Sequence, residues 1–137
     1  MQSLLTPVLA LIVWSLIVWL WMYATRIPAM QKAGIDPQAA QHTSALSMLP
    51  PRVRGVADNY NHLMEQPTIF YAMVFYVVLA GHSDQIHIYL GWAYVGLRVV
   101  HSLIQNTVNI VAVRFSVFTL STLALAAMAA REVIALV

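Results

Sequence analysis

The run from Leu4 to Tyr23 contains no charged residue, and this limits the chain more than any other feature. About 20 consecutive apolar residues are what an α-helix needs to cross the hydrocarbon core of a bilayer. A cleaved signal peptide is the rival reading. It fits poorly, because Met1-Gln2-Ser3 supplies no basic start and the apolar run is too long. The rest of the chain agrees with a lipid solvent. Of its 137 residues, 61% are hydrophobic and only 9% are charged, whereas a soluble domain carries about a quarter charged residues. A chain this apolar cannot cover itself with a solvated surface. The net charge of +2 is small and scattered, which argues against a nucleic-acid partner. With no cysteine, the chain can form no disulfide framework, thiol nucleophile or thiolate metal site.

Three further apolar stretches follow, and together they predict one all-α integral membrane domain over 1–137. Its four transmembrane helices are expected at about 4–25, 52–80, 86–106 and 113–136. A loop over about 26–51 is expected to hold a short helix from Pro37 to about Leu46. Asp36-Pro37 reads as the cap and first residue of that helix. Pro50-Pro51 then breaks the chain. The second span has a polar first half and is longer than the hydrocarbon core, so its first turns should stand among headgroups. Basic residues concentrate on one side: Arg26, Lys32, Arg52 and Arg54 before the second span, and Arg114 before the fourth. The positive-inside rule places that side in the cytoplasm and both termini outside.

The functional signal lies in the polar residues inside the spans. Arg54, Asp58, Asn61 and Glu65 recur at steps of four, three and four, and so do Tyr94, Arg98, His101 and Gln105. Such steps keep each set on one helical face. Ionisable groups within a membrane cost about 2.5–3.5 kcal/mol each on insertion scales, so they turn inward and find partners. In antiparallel helices Glu65 and Arg98 share one level, and Asn61 and His101 share a shallower one. A Glu65–Arg98 pair beneath an Asn61–His101 layer is therefore expected, either as part of a site or as a device that fixes helix register. Pro67 removes one backbone hydrogen bond and frees the Leu63 carbonyl, which predicts a cavity opening between the helices on the cytoplasmic side. His42, His82 and His87 read as loop or headgroup residues, and no spacing resembles a metal site. Arg26, Arg54, Arg98 and Arg114 outnumber Asp58 and Glu65 on that side. The surplus suits an anionic ligand.

The segments "NHLMEQPTIFYA" (61–72), "GLRVVHS" (96–102) and "VRFSVFTLS" (113–121) resemble the MAPEG family, membrane-associated proteins of eicosanoid and glutathione metabolism. The likeness covers nearly the whole chain and is nearest to small bacterial members. It implies a MAPEG-like homotrimer of four-helix protomers in a bacterial inner membrane. It also implies glutathione as cosubstrate of a transferase or peroxidase that acts on lipophilic electrophiles or lipid hydroperoxides. Membrane lipids and the chain's own copies would be its partners. Carried over position by position, Arg26 matches a basic residue at the end of the first helix, and Asn61 and Glu65 match the polar pair of the second. Arg98 and His101 match the Arg-x-x-His of the third. Arg114 matches the arginine that begins the fourth helix, near the glutathione thiol in enzymatic relatives. Where several of those relatives have a tyrosine, this chain has Phe118. That departure favours an alternative, a non-catalytic lipid- or anion-binding protein on the same scaffold.

Overall fold

The computed structural model describes residues 3–137. Four long α-helices dominate them: α1 (Leu5–Ala33), α2 (Pro51–Leu79), α3 (Gln85–Asn106) and α4 (Val111–Ala135). The three later helices begin and end within about two residues of the expected bounds. The first runs eight residues further than expected, so Arg26 lies within α1 and not in a loop. Pro28 is accommodated inside the helix, and the residues that follow it, Ala-Met-Gln-Lys-Ala, are good helix formers. The helix stops at Gly34, whose φ of 66° only glycine adopts without strain. The amides of Gly34 and Ile35 fold back onto the carbonyls of Gln31 and Met30.

The single short helix expected after Asp36 is instead two 3₁₀ turns, Pro37–Ala40 and Thr43–Met48. Asp36 does cap the first, accepting the Gln38 amide at 3.0 Å. His42 is extended, with φ −113° and ψ 138°, and divides them. A segment this short gains too few hydrogen bonds to offset helix nucleation without packing to help it. The tight turn between α2 and α3 closes at Gly81, with φ 74°. Asp84 then caps α3 by accepting the His87 amide at 2.8 Å.

The helices are antiparallel where neighbours in sequence meet. Near the start of α2, a Cβ on Gly55 would lie 3.2 Å from the Gln105 carbonyl near the end of α3. Near the start of α3, a Cβ on Gly91 would lie 3.1 Å from the Leu4 side chain beside α1. Every helix contributes to one core, with Leu11 and Val18 from α1, Phe70 and Val74 from α2, Tyr94 from α3 and Met128 from α4. Phe70 and Tyr94 stack at 4.3 Å between ring centroids. Outside this core the surface stays apolar: Leu9, Leu16 and Leu20 of α1 are each about 60% exposed. An outward face as greasy as the inward one is what lipid contact selects. By length and composition, α1 and α4 qualify as membrane spans.

The close approach at Gly55 carries a prediction. Gly55→Leu must push α2 away from a backbone carbonyl that cannot rotate aside. Overpacking of this kind costs about 1–3 kcal/mol. The thermal midpoint of the purified protein should fall accordingly, and an unchanged midpoint would show that the two helices are not held this close.

Candidate functional site

The polar face of α3 turns inward, as its spacing predicts. Tyr94 and Arg98 are fully buried, and His101 and Gln105 nearly so. The expected partner face of α2 does not meet it. Arg54, Asp58, Asn61 and Glu65 are all exposed. The residues that face α3 are Asn59, His62 and Gln66, one position along each time. Ser102 donates to Asn59 Oδ1 at 3.0 Å. His62 Nδ1 lies 3.2 Å from Gln105 Oε1. The Tyr94 hydroxyl donates to Gln66 Oε1 at 3.1 Å, and Gln66 Nε2 donates to Thr122 Oγ1 of α4 at 2.9 Å.

One residue of helix is a rotation of about 100°, so the two stripes of α2 look in quite different directions. The second stripe was also present in the sequence. Gly55, Asn59, His62 and Gln66 recur at four, three and four, the same steps as the charged set. The glycine was the available signal, because a residue without a side chain marks the face that lies closest to a neighbour.

Two expected contacts are therefore absent. Arg98 forms no ion pair with Glu65; none of the ion pairs among the described residues includes either. Instead Arg98 Nη2 donates to the His62 carbonyl at 3.2 Å, and the guanidinium carbon lies 5.5 Å from the centre of the Phe118 ring. Its Nε and Nη1 have no partner. Nor do Asn61 and His101 form a layer. His101 sits between His62 and Phe118, at 6.0 Å from each ring, while Asn61 lies on the open side of α2.

What the exposed face of α2 lines is a chain of three cavities. The first, about 240 Å³, is bounded by His62, Glu65, Gln66, His101, Arg114 and Phe118 among others. The second, about 320 Å³, shares His62, Glu65 and Arg114 with the first and adds Asp58, Asn61 and Gln105. The third, about 260 Å³, shares Asp58 and Asn61 with the second and adds Arg26, Arg54, Thr43 and Ser47. Shared walls make them one groove, running from the end of α1 along α2 to the first turn of α4. The cavity expected on the polar side of Pro67 is thus present. Of the six residues singled out in the sequence, Arg26, Asn61, Glu65, His101 and Arg114 line this groove. Arg98 does not line it and lies buried behind the His101–Phe118 wall.

The groove's cations are held loosely. Arg114 Nη1 donates to Asn109 Oδ1 at 2.6 Å. Arg26 has a buried Nε with no partner. None of the ion pairs among the described residues involves Arg26, Arg54 or Arg114. Three guanidinium groups spread along a groove, with hydroxyl and amide groups between them, can bind an extended molecule with separated anionic groups.

Polar residues also gather at the opposite end of the bundle, where the sequence reading assigned His82 and His87 to loops or headgroups. His87 is 2% exposed and faces Glu132 of α4. His82 does lie in the exposed turn, as expected; the contact of His87 with Glu132 escaped the sequence because residues 45 positions apart carry no mutual spacing that reveals it.

The model of the MAPEG family matches residues 4–134, nearly the whole chain. No curated protein sequence and no solved structure matches it.

Proposed function

We infer the function of this chain from the premise that it belongs to the MAPEG family, and propose a glutathione-dependent transferase or peroxidase that acts on lipophilic electrophiles or lipid hydroperoxides. In this reading all four helices cross the bilayer of a bacterial inner membrane. The arginine-bearing end of the bundle faces the cytoplasm, and both termini lie outside. Three copies assemble into a homotrimer.

The observation that carries the proposal is the continuous groove, with Arg26 and Arg54 at one end and Arg114 at the other, none of them in an ion pair among the described residues. A tripeptide with two carboxylates and a thiol fits this donor set. Glutathione supplies the thiol nucleophile that a chain without cysteine lacks. Arg26 and Arg54 pair with carboxylates at one end, and Asn61 and Glu65 orient the peptide from the wall between. Arg114 stabilises the thiolate, as a nearby cation does for protein thiols. Val111, Phe115 and Phe118 give the same end of the groove an apolar wall, which suits a substrate that arrives from lipid.

A second reading, a non-catalytic lipid- or anion-binding protein, is favoured by Phe118. Its ring lines the groove without offering a hydroxyl. Thermal unfolding in detergent separates the two. A ligand that binds only the folded state raises the midpoint by mass action, so millimolar glutathione should raise it. An unchanged midpoint with glutathione, alongside a rise with an anionic lipid, would replace the first reading with the second.

A further inference from the structure

Three helices converge on the carboxamide of Gln66. From α3, the hydroxyl of fully buried Tyr94 donates to Gln66 Oε1 at 3.1 Å. Toward α4, Gln66 Nε2 donates to Thr122 Oγ1 at 2.9 Å. The Thr122 hydroxyl donates to the Phe118 carbonyl one turn earlier, at 3.0 Å. Its one hydrogen is thereby committed, so toward Gln66 it can only accept. A flipped carboxamide would set its oxygen against an oxygen with no hydrogen to give. The network therefore permits one orientation of Gln66, with Nε2 toward α4 and Oε1 toward α3.

A carboxamide nitrogen carries two hydrogens, and Thr122 takes one. Gln66 is half-buried and borders the 240 Å³ cavity at the apolar end of the groove, together with Arg114, Phe115 and Phe118. Among the described residues that bound this cavity, it has the only amide or hydroxyl side chain. The other polar groups there are less suited to donate to a substrate. Glu65 as a carboxylate only accepts, His62 is tied to Gln105, and His101 is just 3% exposed. Arg114 is assigned above to the glutathione sulfur. We propose that Gln66 is a specificity-determining donor. It selects lipophilic electrophiles whose reaction places charge on an oxygen, α,β-unsaturated carbonyl compounds above alkyl halides, and Tyr94 and Thr122 are the positioning residues that hold it.

This inference rests on the glutathione reading and names the substrate class of the same groove. In the step concerned, the thiolate sulfur bonds to the β-carbon of the unsaturated carbonyl. The electron pair of the carbon–carbon double bond shifts toward the carbonyl, whose oxygen becomes an enolate. Water then returns to the α-carbon the proton that the thiol gave up on ionising. The second Nε2 hydrogen of Gln66 stabilises the enolate oxygen. A donor already fixed by its neighbours costs no reorganisation as charge develops, and an apolar wall strengthens it. Displacement of iodide from an alkyl iodide uses the same thiolate but develops no charge on oxygen, so this donor gives it no comparable help.

The test is the ratio of kcat/KM for an enone to that for an alkyl iodide of the same chain length, measured on the full chain in detergent with glutathione. Gln66→Leu should lower this ratio by about 10²-fold, the usual effect of removing one preorganised donor. Tyr94→Phe and Thr122→Val leave the carboxamide in place but free to turn, and each should lower the ratio by about tenfold. General damage to the fold slows both reactions alike and leaves the ratio where it was. A Gln66→Leu protein with the wild-type ratio would overturn the role of Gln66, whatever its absolute rates. If Gln66→Leu does not fold, wild-type ratios in both Tyr94→Phe and Thr122→Val would do the same. The two failures differ: wild-type protein that conjugates neither substrate would sink the glutathione reading and this inference with it, whereas conjugation with an unmoved ratio would sink this inference alone.

Discussion

Arg114→Ala should reduce glutathione conjugation of a generic electrophile by about 10²–10³-fold while leaving assembly intact. That is the usual loss when one preorganised donor to a developing or stabilised anion is removed. The structure explains why the fold should tolerate the change. Arg114 stands on the first turn of α4 and its hydrogen bond goes to Asn109, in the exposed turn before the helix. A single exposed bond of this kind contributes about 0.5–1.5 kcal/mol. Arg114→Lys should recover part of the activity, since it keeps the charge but loses the planar fork. The measurement is initial rate against glutathione concentration, with native mass spectrometry to follow assembly. Wild-type rates in the alanine variant would refute the role given to this arginine.

The second large effect concerns Arg98. Arg98→Ala should destabilise the protein by about 3–5 kcal/mol, the range for deleting a large buried side chain. Arg98→Met should cost far less, within about 1.5 kcal/mol, and should unfold as cooperatively as the wild type. The contrast arises because the guanidinium is fully buried, makes one hydrogen bond to a backbone carbonyl and has no carboxylate partner. Its packing beside Phe118 is worth keeping, whereas its charge is a burden that an apolar chain of similar length removes. Glu65→Ala serves as the control. Because Glu65 is exposed and in no ion pair among the described residues, the variant should unfold at nearly the wild-type midpoint. A large loss in Glu65→Ala would restore the Glu65–Arg98 pair that the structure replaces.

Much of this protein was legible in one dimension. The uncharged run after Leu4 fixed an apolar first helix. Asp36 announced its cap, because a capping side chain acts on an amide two or three residues away. The inward face of α3 followed from the steps joining Tyr94, Arg98, His101 and Gln105. These are local properties, set by helical periodicity and by short-range hydrogen bonding. The far end of α1 was less legible, because Arg26 and Pro28 resemble the start of a loop. The helix-forming residues 29–33 and the Gly34 terminator decide otherwise.

The partners of those faces were a different matter. Two stripes on α2 share the same four-three-four steps, about 100° apart, and periodicity cannot choose between them. The charged stripe drew attention because buried charge demands a partner. Packing chose the other stripe: Gly55 lets α2 approach the end of α3 closely, which turns Asn59, His62 and Gln66 inward and leaves Asp58, Asn61 and Glu65 to line a groove. The meeting of His82 and His87 with Glu132 was likewise decided by the docking of α4. The sequence by itself determined an apolar, helical, membrane-associated chain with an inward polar face on α3. Only the tertiary structure decided what those polar groups touch, because helix rotation and long-range docking are set by the sum of many contacts that no local spacing records.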